Sequence, residues 1–400
     1  MNTPGPKTDI FVRRVDSCVI RGKGSDRTAS SARGAQGAPT GGPGPHSSSP
    51  PVGNWLFAGG DGRLTAYACT PRGLLRWTEA AAPRTGWTGP EPFEVEGWIG
   101  PAAMARSREG YVHFAALRSA AGDSGSPEVI VSTQFQTGRG MMDWRGLGTP
   151  GLRGGPEDDS LSGPPRIAVN QRSGSTHVIV SLRHSGILRR SRNPEGAWGG
   201  WKPVSGQPYR GDVTPLMPAG GTLEVLAPGQ GHADHWTGMG QGRFGLAERI
   251  PTPVVPGTAA ACETGPRRAT YFWRYPGDGS LVAWRSPSQG VQGGLMGLGG
   301  AGGRGAPGVA RAMLGGYDCT VLAQIGADGD VEVTAYVTEN EGYGTWWASL
   351  GGHGARAPQV AVDAAGRVVV AAFDEEGAPM CTRQDTAAGG LAFGPWEYLA

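Results

Sequence analysis

Lysine is almost missing from this chain: Lys7, Lys23 and Lys202 are the only three among 36 Lys and Arg residues. The formal net charge is +2, with no basic stripe or polybasic run, which excludes the electrostatic footprint of a nucleic-acid or anionic-membrane surface. Apolar residues make up only 38% of the sequence, and no run is long enough to cross a membrane. The N-terminus lacks the apolar core of a signal peptide, so the expected location is cytoplasmic as encoded, with any release by a non-standard route. No segment keeps the helical three-and-four spacing of apolar residues over three turns, which argues against a helical fold. The five cysteines (Cys18, Cys69, Cys262, Cys319, Cys381) are widely spread without a C-x-x-C pair, so neither a disulfide framework nor a zinc site is expected. An odd count without a leader suits a reducing compartment. Also missing are G-x-S-x-G, H-E-x-x-H, a P-loop and the S-x-D-x-G-x-T-W box of sialidase blades.

Present instead are 71 Gly and 33 Pro, the composition of short strands and turns. The stretch from Gly53 to Val95 reads as four strands. The first ends at Ala58, the second runs from Arg63 to Cys69, the third from Leu74 to Thr78, and the fourth carries Trp87. The Asp61-Gly62 and Pro71-Arg72-Gly73 turns separate them. This unit recurs six times at intervals of roughly 50 residues, each copy opening on a small-residue strand such as Pro165-Arg-Ile-Ala-Val or Pro358-Gln-Val-Ala-Val. Its second turn returns as Ser185-Gly186, Asp278-Gly279, Asp328-Gly329 and Glu376-Gly377. Four antiparallel strands per repeat and seven repeats predict an all-β, seven-bladed β-propeller over 52–400. The expected blades span 52–97, 98–150, 164–210, 211–256, 257–304, 305–354 and 355–400. Units one and seven each look complete. The ring is expected to close by packing alone, or through the segment 9–22, which resembles two blade strands. The rest of 1–51, rich in Gly, Ser and Pro, reads as a disordered tail and linker.

Thirteen tryptophans recur at blade positions. An indole offers a flat electron-rich face and one N–H donor, which suits the apolar C–H face of a pyranose. Selectivity then requires a few aimed polar groups beside the ring. Trp77, Trp87, Trp198, Trp201, Trp236, Trp284 and Trp346 are the candidate sugar-binding residues, and the alternative for each is packing between blades. Arg76, Arg285 and Glu397 adjoin tryptophans in sequence. His232 and His235 have the residue types of a metal site without a third ligand, and Asp328 and Asp330 sit in an ordinary second turn without the later carboxylate of a calcium loop. Glu157-Asp158-Asp159 reads as a solvated insertion. No metal or other cofactor is expected. The inner strands are nearly bare of acids, with Asp363 and Glu263 as the exceptions, so a propeller glycosidase or lyase ranks below a binding role.

The repeat P-A-V-A … D-G-R-L-x-V-F … D-G-x-L-W … W-x-x-W-x-x-L-G resembles that of the PLL-like β-propeller lectins. The likeness is clearest in GGDGRLTAY (59–67), EGAWGGW (195–201), GDGSLVAW (277–284) and TWWASLGG (345–352), and covers 52–400. The resemblance implies a non-enzymatic, seven-bladed ring whose partners are glycans, with neutral sugars such as fucose bound between neighbouring blades. The family's third-strand aromatic corresponds to Trp77, Trp236, Trp284 and, more loosely, Tyr336. Other units lack it, so fewer than seven working sites are expected. A non-catalytic protein-interaction scaffold remains the alternative.

Overall fold

The computed structural model describes residues 48–119, 127–151, 159–209, 211–288 and 293–400. The expectations for 9–22, for nearly all of the N-terminal tail, and for Glu157 and Asp158 lie outside these residues.

The chain is a seven-bladed β-propeller. Seven antiparallel four-stranded sheets follow one another along the sequence, and none shares a strand with another. Blade 1 comprises Leu56–Ala58, Leu64–Thr70, Gly73–Glu79 and Trp87–Glu94. Blade 2 has Trp98–Arg106, Val112–Ser119, Pro127–Gln134 and Arg145–Gly146, and blade 3 has Arg166–Val169, Thr176–Leu182, Gly186–Arg192 and Lys202–Ser205. Blade 4 consists of Thr214–Leu216, Glu224–Pro228, Ala233–Gly238 and Phe244–Ile250. Blade 5 follows with Ala260–Gly265, Arg268–Arg274, Leu281–Arg285 and Gly294–Gly299, its fourth strand formed by the Gly-rich stretch. Blades 6 and 7 are Arg304–Leu314, Tyr317–Ile325, Val331–Val337, Ala348–Ser349 and then Arg356–Val362, Val368–Phe373, Pro379–Arg383, Glu397–Tyr398. Among the described residues the only helical element is a 3-10 turn at Glu341–Tyr343, and no helix is long and apolar enough to cross a membrane.

The strand sequences follow from their radial position. A second strand lies mid-blade, with a neighbouring blade over each face, so it reads as a continuous apolar run; all six residues of Val368–Phe373 are buried. A fourth strand lies at the rim, and both residues of Glu397–Tyr398 are exposed. First strands crowd the axis, which favours Ala and Val. The first turns also meet there. At Gly60 a Cβ would come within 2.6 Å of the Glu109 carbonyl oxygen, and at Gly110, with φ +87°, within 2.1 Å of the Gly60 nitrogen. Only glycine allows blades 1 and 2 to approach this closely.

The apolar core is divided into seven parts, one at each seam between blades. The seam between blades 7 and 1 closes the ring. Trp55 is completely buried there, its ring centroid 4.5 Å from that of Phe373, and its Nε1 donates to the Ala357 carbonyl at 2.9 Å. Leu64, Ala66, Trp77, Val369, Ala371, Cys381 and Leu399 complete the seam. Among the described residues closure thus rests on packing. The leading segment adds a clasp. Ser49 pairs with Cys69 of blade 1, the Val52 N–H donates to Ala102 of blade 2 at 2.8 Å, and the Ser48 hydroxyl donates to the Gly377 carbonyl of blade 7.

Two buried arginines act as joints. Arg76 of blade 1 bonds Gln134 of blade 2 at 3.0 Å and pairs with Glu91, and Tyr67 donates to the same Gln134 oxygen at 2.6 Å. Arg274 of blade 5 reaches Gln324 of blade 6 at 2.7 Å and the carbonyls of Gly279, Gly305 and Arg304. Arg76 therefore works inside a seam despite adjoining Trp77.

Two stability measurements follow. Trp55→Ala removes a completely buried indole from the closing seam and is expected to cost about 3–5 kcal/mol in denaturant unfolding. A change below about 1 kcal/mol would show that the seam does not hold the ring. The second concerns pH. Burial, with Arg192 nearby, pushes the pKa of His113 down to about 4, and burial with Arg189 does the same for His177. Both are neutral when folded, whereas the unfolded chain takes up protons near pH 6.5. Their contribution is complete above that value and is lost as pH falls from 6.5 towards 4. The melting temperature should fall across this window, and His113→Gln should make the fall shallower; a flat profile would contradict the assignment.

Candidate sugar-binding clefts

The seven candidate tryptophans do not converge on one site. Trp77, Trp236, Trp284 and Tyr336 all lie on third strands, and each packs against the preceding blade. Trp77 is 5% exposed and Trp284 1%, so both ring faces are covered by protein. The Trp284 ring lies 4.8 Å from that of His235 in blade 4. Trp236 is half-buried, and its Nε1 donates to the Tyr209 hydroxyl at 2.8 Å. Trp87 is buried in the closing seam with the Arg383 guanidinium 6.0 Å from its ring centre. Trp198 and Trp201 are half-buried against the seam between blades 2 and 3. Trp346 is 66% exposed. It stands out because its neighbours are pinned: the Thr345 hydroxyl and the Trp347 Nε1 both donate to the Leu298 carbonyl of blade 5, at 2.7 and 2.8 Å. Tyr343, on the same loop, is exposed as well.

Where this loop begins, blades 5 and 6 bring together two arginines and two glutamates. Arg285 ends the third strand of blade 5, and its Nη2 lies 2.5 Å from Glu341 Oε1. Its Nε is 3.7 Å from Glu339 Oε1. Arg268 pairs with Glu339, and the Thr264 hydroxyl donates to Glu339 at 2.9 Å. Glu339 adopts φ +63°, a left-handed conformation that costs a non-glycine residue free energy and that the surrounding ion pairs hold in place.

The closing seam carries the same chemistry at matching strand positions. Arg383 ends the third strand of blade 7 and meets Glu79, the last third-strand residue of blade 1, at 2.8 Å. Asp363 accepts from Arg367 at 2.8 Å and from Arg383 at 3.2 Å, and the second Glu79 oxygen accepts from the Leu64 N–H at 2.9 Å. Beside them opens a cleft of about 470 Å³ lined by Asp61, Arg63, Glu79, Arg84, Asp363 and Arg367. Its lining contains no aromatic residue. Asp363, expected near the axis, is thus a buried ion-pair partner at this seam.

The other singled-out residues have structural partners. His235 is buried against Glu224 at 2.9 Å, while His232 lies 3.5 Å from Asp234, so the two imidazoles serve different partners. Asp330 accepts from the Ser349 hydroxyl at 2.9 Å. Asp159 accepts from the His184 and Ser185 N–H groups at 2.9 and 3.0 Å. Glu397 is exposed on the rim. Among the described residues no three His, Cys, Asp or Glu side chains are placed to hold a metal ion, and the four described cysteines are free thiols.

Sequence reasoning missed Arg268, Glu339, Glu341, Glu79 and Arg383. The available signal was positional: arginine at the last residue of a third strand in one unit, glutamate at or just past the same point in the next.

No protein-family model matches the chain, and no curated protein matches it. Solved structures do. A Lactobacillus plantarum protein is similar at 12% identity and a TM-score of 0.55, over 86% of this chain and 98% of its own. A triple arginine-to-alanine mutant of AofleA from Arthrobotrys oligospora matches at 9% identity and a TM-score of 0.51, over 76% of this chain and 86% of its own. A mutant of the Aleuria aurantia lectin in complex with alpha-methyl-L-fucoside matches at 12% identity and a TM-score of 0.44, over 75% and 93%. At these identities the likeness extends to the fold.

Proposed function

We propose that the chain is a non-catalytic, carbohydrate-binding propeller that takes neutral sugars in the cleft between blades 5 and 6. The observation carrying this reading is the exposed Trp346 on the loop whose start contributes Glu339 and Glu341 to the Arg268–Arg285 cluster. Guanidinium and carboxylate groups fixed by each other offer donors and acceptors at set positions, as vicinal hydroxyls require. The indole supplies the stacking face. Fucose is the first sugar to test, because the repeat resembles that of fucose-binding propellers. The cleft between blades 7 and 1 repeats the arginine–glutamate pairing without a stacking ring, and serves as a second, weaker site. One monosaccharide offers few atoms, so each site is weak alone; two sites on one rigid ring gain by avidity on clustered glycans.

A glycan array probed with the full chain tests this, followed by titration of each hit against two variants. Trp346→Ala should cost about 1–3 kcal/mol of binding from lost stacking and area while leaving the melting temperature unchanged. Trp284→Ala, at a covered ring, should instead cost about 3–5 kcal/mol of stability. A blank array, together with capture of a single protein partner, would replace the lectin reading by the scaffold reading.

A further inference from the structure

The seven first strands enclose an axial channel of about 620 Å³. Its wall is mostly small and apolar, with Ala105, Ala168, Ala261 and Ala310 among the lining residues. The two ends differ. At the start of the strands the leading segment lies across the mouth: Val52 is bound to blade 2, Gly53 accepts from Gln359 of blade 7 at 3.2 Å, and Arg166 beneath it pairs with Asp212 at 3.1 Å. At the far end, on the face of the first turns, the channel is lined by Arg106, Glu263 and Arg311. Arg311 is matched by Asp318, and the Glu263 carboxylate accepts the Ala219 and Arg267 N–H groups at 2.8 and 3.3 Å.

Arg106 is left over. Its guanidinium has no hydrogen-bond or ion-pair partner among the described residues, and its Nε is buried unsatisfied. Burial lowers its pKa below that of free arginine, opposed by the charge of the exposed Glu109 on the adjoining turn. Its backbone is fixed, since the Gln171 side chain donates to the Arg106 carbonyl at 2.6 Å. Burying half of an unmatched cation in an apolar wall carries a desolvation cost that an incoming anion repays. The guanidinium fork suits an oxyanion in particular.

We propose that the axial channel is a second binding site, independent of the interblade clefts, for a small molecule bearing an oxyanion, a carboxylate or a phosphate. The ligand enters from the face of the first turns, and its oxyanion docks on Arg106. The volume accommodates a molecule of monosaccharide size.

Thermal melts of the full chain with increasing sodium acetate, or with inorganic phosphate, at ionic strength held constant with sodium chloride, test the proposal. The expected result is a saturable rise in melting temperature with at least one of the two anions, and the one that saturates at lower concentration identifies the oxyanion. Arg106→Gln should abolish the saturable rise and, because the guanidinium has no protein partner to lose, should melt no lower than the parent without ligand. Arg172→Gln removes the same charge from an exposed position and should keep the response. The proposal is overturned if neither anion gives a saturable rise, if Arg106→Gln responds like the parent, if Arg172→Gln loses the response equally, or if Arg106→Gln alone lowers the melting temperature by several degrees. None of these outcomes depends on sugar binding.

Discussion

A four-stranded sheet with two apolar faces has to be covered twice, and in this molecule each cover is the next blade. That requirement organises everything else. The core cannot be collected in one place, so it is distributed over seven seams, each needing its own fillers. The large aromatics go there first, because Trp and Tyr fill the widening gap between two twisted sheets. The buried joints of Arg76 and Arg274 follow from the same need. Polar groups at the seam ends have to be satisfied across blades, and a guanidinium with several donors reaches carbonyls on two blades at once. At the seams of blades 5 and 6 and of blades 7 and 1, the apolar filling gives way to largely buried ion pairs.

The fold was legible in the sequence because turns are local. Gly62, Gly279, Gly329 and Gly377 all have φ between +72° and +90°, and their spacing marks the repeat directly. The tryptophans were legible as a pattern but not as a role. Trp284 and Trp346 are the same residue type in neighbouring blades, yet one is sealed against His235 and the other stands in solvent. What separates them is the tertiary partner: the loop carrying Trp346 is pinned by Thr345 and Trp347, which turns the residue between them outward. The charged half of the candidate sites was least legible. Glu79 and Arg383 come from opposite ends of the propeller sequence, and no local pattern joins them.

The axis and the seams offer different chemistry for a geometrical reason. Near the axis the first strands are so close that only small side chains fit, which leaves backbone, apolar methyl groups and the occasional arginine at the rim of the channel. Farther out the blades diverge, and the space admits ion pairs and rings. One ring thereby presents, on the face carrying the first turns, a central recess lined by small side chains and a peripheral cleft lined by charged ones.

The closing seam also sets an order of events during synthesis. The Trp55 indole donates to Ala357, 302 residues further along the chain. Blades 2 to 6 can each pack on the blade made just before them, but blade 1 waits, with one apolar face bare, until blade 7 has left the ribosome. Translation at about 5–20 residues per second makes that wait tens of seconds long. For that interval the growing chain shows an open arc with a sticky face at each end, and an arc of this kind can meet the arc of another chain before it meets itself. A chain cut short anywhere before blade 7 would keep both faces bare permanently.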